Sequence, residues 1–276
     1  MKRLLVPTDF SSSSLKAIEY ASKISQILKS EVTLLWVDNH ETTANLSLDN
    51  QLQASVRQEA KEELKELIVN MKDKFPGIKY TSKIKPGKVF REVSTLANAE
   101  KTSLIIVSTH GSSGFQDYWI GSNAYRVISA APCPVISVKR GYKPTKKLIS
   151  RILVPIDHTP DTLNKLPAII EFASIFNAEI NLLAIYTTTL KTINTKIENS
   201  VTTAKNMITE ASLQFTFDEL NSQNVAMDII QFIEKSTFDL VAITTEQSGK
   251  DDQSGVSELA QQLINRSPIP VLTVRQ

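Results

Sequence analysis

The sequence predicts an α/β protein made of two copies of one doubly wound parallel sheet. Three observations carry the prediction: an internal repeat, apolar runs of strand length alternating with segments of helical period, and a small-residue loop after the fourth run of the first copy. The repeat is legible residue by residue. Lys2-Arg3-Leu4-Leu5-Val6-Pro7-Thr8-Asp9 recurs as Ser150-Arg151-Ile152-Leu153-Val154-Pro155-Ile156-Asp157, an offset of 148, and Glu31–Val37 recurs as Glu179–Ile185 at the same offset. Later the offset falls to 136, where Ala131-Pro132-Cys133-Pro134-Val135-Ile136-Ser137-Val138 matches Ser267-Pro268-Ile269-Pro270-Val271-Leu272-Thr273-Val274. The second copy is thus about 12 residues shorter between its second and third strands. Two copies of this length imply domains at 1–140 and 150–276, with the Gly-, Pro- and Lys-bearing stretch 141–149 as linker.

In order along the first copy, strands are expected near 3–8, 31–37, 78–84, 103–108 and 134–139, as Val/Ile/Leu runs apolar on both faces. Ser11-Ser12-Ser13-Ser14 precedes Leu15, Ile18, Ala21 and Ile24 at helical spacing, which reads as an N-cap and a first helix. The cluster also offers phosphorylation sites, the weaker reading. A charged periodic segment at 51–74, stopped by Pro76-Gly77, predicts a second helix. Lys85-Pro86-Gly87 introduces a third, with Val89, Val93 and Leu96 on one face, and a fourth begins near Gly121. Five strands alternating with four helices give a five-stranded parallel sheet with helices on both faces.

Such a sheet takes ligands at the carboxyl ends of its strands, near the point where strand order reverses. Asp9 ends the first strand, Val37 the second, and Ser108-Thr109-His110-Gly111 follows the fourth. Nine residues later comes Gly121-Ser122-Asn123 at the start of a helix. Small residues let the backbone approach an anion, and a helix N-terminus offers unpaired N–H groups with a partial positive charge. With strands one and four adjacent, these segments converge, favouring a nucleotide site over a turn that needs small residues for geometry alone.

Composition narrows the classes. With 41% apolar and 22% charged residues over 276 positions, the chain has material for two globular cores. A net charge of +2 gives no support for nucleic-acid binding. Residues 1–140 carry net +5 and residues 141–276 net −3, a weak bias toward an anionic ligand in the first copy. No run approaches the roughly 18 apolar residues of a membrane helix, and Met1–Pro7 is too short an apolar run for a signal peptide. The lone Cys133 suits a reducing compartment and reads as a small buried hydrophobe, so a cytoplasmic location is expected. His40, His110 and His158 form no metal-spaced cluster, and neither a Walker loop nor a G-x-S-x-G elbow is present. Tyr118 and Trp119 read as packing residues, residues 39–56 as a flap or surface loop, and His158 as a surface residue.

The opening Leu4-Leu5-Val6-Pro7-Thr8-Asp9, the closing Ala131-Pro132-Cys133-Pro134-Val135-Ile136-Ser137-Val138 and the loop between them resemble the universal stress protein family, whose nucleotide-binding branch carries G-2x-G-9x-G(S/T). The resemblance extends over both copies, as a tandem arrangement of Rossmann-like domains of the adenine nucleotide alpha hydrolase-like type. It implies a dimerising stress-response protein that binds ATP, or AMP or ADP, and is not an enzyme. By position it implies that Asp9 meets the adenosine moiety and that the Val37 backbone meets adenine, with Thr8 beside Asp9 as a further candidate. It further implies that Gly111, Gly121 and Ser122 hold ribose and phosphates. Ser108 and Asn123 are further candidates from the loop and helix start, and His110 is either a contact to a nucleotide oxygen or a turn-stabilising residue. Mg2+ would accompany a triphosphate through the phosphate oxygens, since the sequence shows no dedicated ligand set. The first glycine of the motif is Ser108 here, which leaves AMP or ADP open beside ATP. A slow ATPase would have Asp9 as its acidic candidate and no evident base for water, so no catalytic residue is assigned.

The second copy departs further. Ser108, His110, Gly111, Gly121 and Ser122 correspond to Thr244, Glu246, Gln247, Ser257 and Glu258, placing a carboxylate and losing two glycines where phosphate would sit. Gly249 and Gly255 stand at the wrong spacing, and Asp157 reads as a turn residue. The second copy is therefore expected to be a degenerate partner domain. Each copy ends in a short apolar strand, at 134–139 and 270–274, and pairing these edges would bury both. Association of two chains into a homodimer stays open. The alternative to a nucleotide-binding stress protein is a nucleotide-independent interaction or dimerisation module.

Overall fold

The computed structural model describes residues 2–39, 48–109, 121–144, 147–245 and 256–275, the side chains of 48–52 excepted. The chain divides into two compact units after Arg140.

The first unit holds β1 (Arg3–Pro7), α1 (Ser12–Leu28), β2 (Glu31–Asp38), α2 (Leu48–Lys74), β3 (Tyr80–Pro86), α3 (Val89–Ala99), β4 (Leu104–Ser108), α4 (Ser122–Ala130) and β5 (Val135–Val138). Its strands run in the order β3-β2-β1-β4-β5, all parallel, so β1 and β4 adjoin at the reversal point as the sequence implied. Central strands are apolar because helices cover both faces: Leu4, Val6, Leu34, Leu104 and Ile106 are wholly buried. Lys74 Nζ on α2 meets Glu19 Oε1 on α1 at 2.7 Å, while Ser94 Oγ on α3 donates to the Ala130 carbonyl at the end of α4. Right-handed crossovers place the α1–α2 pair and the α3–α4 pair on opposite faces.

Ser11 caps α1 as predicted, its hydroxyl accepting from Ser14 N at 3.2 Å. Ile18, Ala21 and Ile24 are buried on the face that period predicted, and Leu15 is half-buried. The third strand differs from expectation. β3 begins at Tyr80, and along Tyr80–Pro86 only Tyr80 is buried, because β3 is the sheet edge rather than a strand with neighbours on both sides. Its anchor is polar: Tyr80 Oη donates to Ser22 Oγ at 2.7 Å, and Ser22 Oγ donates to the Ile18 carbonyl at 2.8 Å.

The second unit repeats the plan with β6 (Arg151–Ile156), α5 (Leu166–Phe176), β7 (Glu179–Tyr186), α6 (Lys191–Glu210), β8 (Phe215–Asn221), α7 (Val225–Glu234), β9 (Leu240–Thr245), α8 (Glu258–Arg266) and β10 (Val271–Arg275). Its strand order is β10-β9-β6-β7-β8, again all parallel. Before α5 the chain makes a one-turn 3-10 helix, Pro160–Leu163, which has no counterpart among the described residues of the first unit. Asp239 ties the base of this sheet, its Oδ2 accepting from Ser150 N at 2.8 Å and Ser150 Oγ at 2.6 Å. Among the described residues no helix is long and apolar enough to cross a membrane.

Candidate functional site

The chain leaving β1 is held tightly. Thr8 N donates to the Leu35 carbonyl at 2.9 Å, and the Thr8 hydroxyl lies 3.0 Å from Ser14 Oγ and accepts from Phe10 N at 3.1 Å. Asp9 Oδ1 accepts from Ser11 N at 3.1 Å, closing a turn in which Phe10 takes a left-handed φ of 61°. Thr8 is buried while Asp9 stays exposed. Strain at Phe10 and the Thr8–Ser14 contact thus fix Asp9 beside the first turn of α1.

The other wall comes from either side of residues 110–120. Thr109 N donates to the Val138 carbonyl at 3.2 Å, and Gly121 N donates to the Thr109 carbonyl at 2.8 Å, so α4 starts directly at the end of β4. Gly121 is the N-cap of α4 and supplies no side-chain cap. The first turn thus receives no side-chain cap from its N-cap residue, and the helix end carries a positive charge of roughly half an elementary unit. Ser122 and Asn123 at that end are exposed.

These segments line one cavity of about 150 Å³. Thr8 and Asp9 contribute from β1, Leu35–Val37 from β2, Ser108 and Thr109 from β4, and Gly121–Asn123 from α4. Seven of the nine residues singled out from the sequence thus meet in one place: Thr8, Asp9, Val37, Ser108, Gly121, Ser122 and Asn123. The other two, His110 and Gly111, lie outside the described residues, as do His40, Tyr118 and Trp119. Other lining residues carry no such signal in the sequence, Ser14, Trp36 and Val89 among them: Ser14 reads as part of a capping cluster, Trp36 sits mid-strand among apolar residues, and Val89 shows only a helix face. Val89 is drawn in through Gly87, whose N–H donates to the Asp38 carbonyl at 2.9 Å and whose φ of 132° suits glycine. Among the described residues lining the cavity, Asp9 alone is charged, so one end is acidic and the α4 end is positive through its backbone.

The family model for the universal stress protein family matches residues 1–139, just over half the chain. The chain belongs to the universal stress protein family. The universal stress protein MJ0531 of Methanocaldococcus jannaschii is 30% identical over 145 residues, which cover 51% of this chain and 84% of the relative. The universal stress protein YxiE of Bacillus subtilis is 26% identical over 145 residues, or 50% of this chain and 98% of the relative. A crystal structure of a universal stress protein from Archaeoglobus fulgidus superposes with a TM-score of 0.74 over 99% of this chain and 98% of that one, at 20% identity. That likeness shows the fold across the whole length.

Within this universal stress protein the second unit builds the corresponding place differently. Asp157 after β6 turns back on itself, its Oδ1 accepting from Thr159 N at 2.9 Å and Thr159 Oγ1 at 2.6 Å. Ser257 is the N-cap of α8, and its hydroxyl accepts from Ala260 N at 3.2 Å. The N-cap that lacks a side chain in the first unit is a capping serine here, with Glu258 as the first helical residue. Thr244 lines this second cavity, whereas Glu246, Gln247, Gly249 and Gly255 lie outside the described residues. His158 is exposed.

Proposed function

We propose that the first unit binds ATP or a related adenine nucleotide and that the protein acts in the stress response through altered protein contacts rather than by catalysis. The observation that carries this reading is the open N-terminus of α4, capped by Gly121 without a side chain, in the cavity that Asp9 and Val37 share. Charge sets the orientation. Phosphates belong at the α4 end with Ser108, Gly121, Ser122 and Asn123, and with His110 and Gly111 by position. The ribose and base belong at the Thr8, Asp9 and Val37 end, where a carboxylate repels phosphate but accepts hydroxyl protons. Mg2+ would be held by the phosphates of ATP rather than by a protein cluster.

The second unit is read as a domain that has given up nucleotide, supported by the self-capped α8 and by Glu258 at its start. Its role would be to pair with the first domain through the edge strands 134–139 and 270–274, each apolar and each ending its unit's strand order. Domains at 1–140 and 150–276 in a cytoplasmic protein complete the proposal, with a homodimer as a further level of assembly. Ser108, in place of a glycine, favours the second reading, a nucleotide-independent interaction module.

Thermal unfolding with ATP, ADP or AMP separates the two. A ligand at 100 times its Kd adds about 2.7 kcal/mol of stability, so a binding nucleotide raises Tm in the natural chain and fails to do so in Gly121→Asp. An unchanged Tm with all three nucleotides would leave the interaction module.

A further inference from the structure

The second unit holds a cavity of about 290 Å³ at the carboxyl ends of β6 and β9, lined among others by Asp157, Asp161, Lys165, Thr244 and Ser257. Lys165, the N-cap of α5, is 4% exposed yet borders this space. Among the described residues its ammonium makes no hydrogen bond or ion pair, and the charge it feels is that of Asp157. An ammonium with so little access to water and no hydrogen-bond acceptor is costly to keep charged, and a ligand that supplies the missing acceptor would offset that cost. The repeat sharpens the point. The residue at the same offset in the first copy is Ala17, wholly buried, so a methyl packs where the second copy has a cation.

The surroundings set the ligand's chemistry. Ser257 Oγ accepts from Ala260 N, which leaves its own proton to donate. Asp157 has Oδ1 engaged by Thr159, while its Oδ2 has no partner among the described residues. Asp157 and Asp161 are both less buried than Lys165. A bare multivalent anion would meet these two carboxylates before reaching the lysine, whereas a compound with hydroxyl groups would donate to them.

We propose that this cavity is a binding site for a small hydroxylated oxyanion, with its phosphate or carboxylate group on Lys165 and its hydroxyl groups on Asp157. The site is independent of the nucleotide reading of the first unit and differs from it in kind. There a helix terminus and backbone do the holding; here one buried side-chain cation does. Burial lowers the Lys165 pKa to about 8, so a bound anion would also restore the proton that burial weakens.

The test uses the full chain carrying Gly121→Asp, which keeps anions off the first unit, titrated calorimetrically at pH 7 with glycerol 3-phosphate, glycerate and glycerol. Saturable binding of glycerol 3-phosphate or glycerate at one site per chain is expected, with no saturable binding of glycerol. Lys165→Met should weaken that binding at least tenfold while raising Tm, since an unpaired buried charge is removed. Binding of the phosphate alone would assign a phosphate ester, and binding of glycerate alone a hydroxy acid. Absence of saturable binding by both anions to the folded chain would overturn the proposal, as would equal affinity in Lys165→Met.

Discussion

Arg57 Nε on α2 donates to Asp38 Oδ2 at the end of β2 over 2.7 Å, with the carboxylate only 2% exposed. The pair fastens the long second helix to the strand end immediately after Val37, and the Asp38 carbonyl receives Gly87 N from the start of α3. One residue therefore anchors both α2 and the Gly87 turn that leads into Val89 of the first cavity. Arg57 is itself 41% exposed, which screens the charge term. Arg57→Ala should cost about 1–2 kcal/mol through loss of a charge-assisted hydrogen bond to a buried acceptor. A lowered urea midpoint with an unchanged slope would show this, and an unchanged midpoint would contradict it.

The two helix caps predict opposite effects of the same chemistry. Gly121→Ser gives α4 the cap that α8 already has, so it should hold or raise stability by a few tenths of a kcal/mol while weakening nucleotide binding. Ser257→Ala removes the bond to Ala260 N and should destabilise by about 1 kcal/mol without touching nucleotide affinity. Denaturation and binding measured on both variants check the pair. A Gly121→Ser protein with full affinity would show that the open helix end is not the phosphate contact.

Lys165 makes stability depend on alkaline pH with a defined sign. Burial lowers its pKa from 10.5 to about 8, partly opposed by Asp157, with Asp161 the other charged residue among the described residues lining its cavity. Between those two values the unfolded chain binds more protons than the folded one, so this group's contribution rises with pH across that window and is flat below it. The full rise is on the order of 3 kcal/mol. Comparing unfolding free energies at pH 8 and 10.5 in the natural chain and in Lys165→Met isolates it, and identical slopes in both would refute the assignment.

Cys133 should be a poor nucleophile. The residue is half-buried, and desolvation pushes its thiol up to about 12, only partly offset by a hydrogen bond with the Ile105 backbone. Against an ordinary thiol the thiolate fraction near pH 8 falls roughly 10³-fold. Alkylation by iodoacetamide in the folded protein should be slower than in the unfolded chain by a comparable factor, and equal rates would show that the thiol is not buried.

Much of this architecture could be read from residues. Runs such as Leu104–Val107 are apolar on both faces because helices cover both sides of a central strand, and Ser11 announces the start of α1. The edge strand β3 was harder, since Lys83, Lys85 and Thr81 alternate with too little apolar character to separate edge from centre. The first cavity was largely legible because its contributors sit at strand ends, which topology brings together. Trp36 and Val89 were not, since only tertiary packing turns a strand tryptophan and a helix-start valine toward one space. Lys165 was invisible for the same reason: next to Asn164 and Pro167 it looks like an exposed lysine at a helix start, and its burial depends on what covers it.

Nucleotide binding by the first unit is decided by calorimetric titration of the full chain with ATP, ADP and AMP beside Gly121→Asp. One adenine-nucleotide site per chain is expected, abolished by the substitution in a protein that stays folded. No heat from any of the three nucleotides, or two sites per chain, would contradict it.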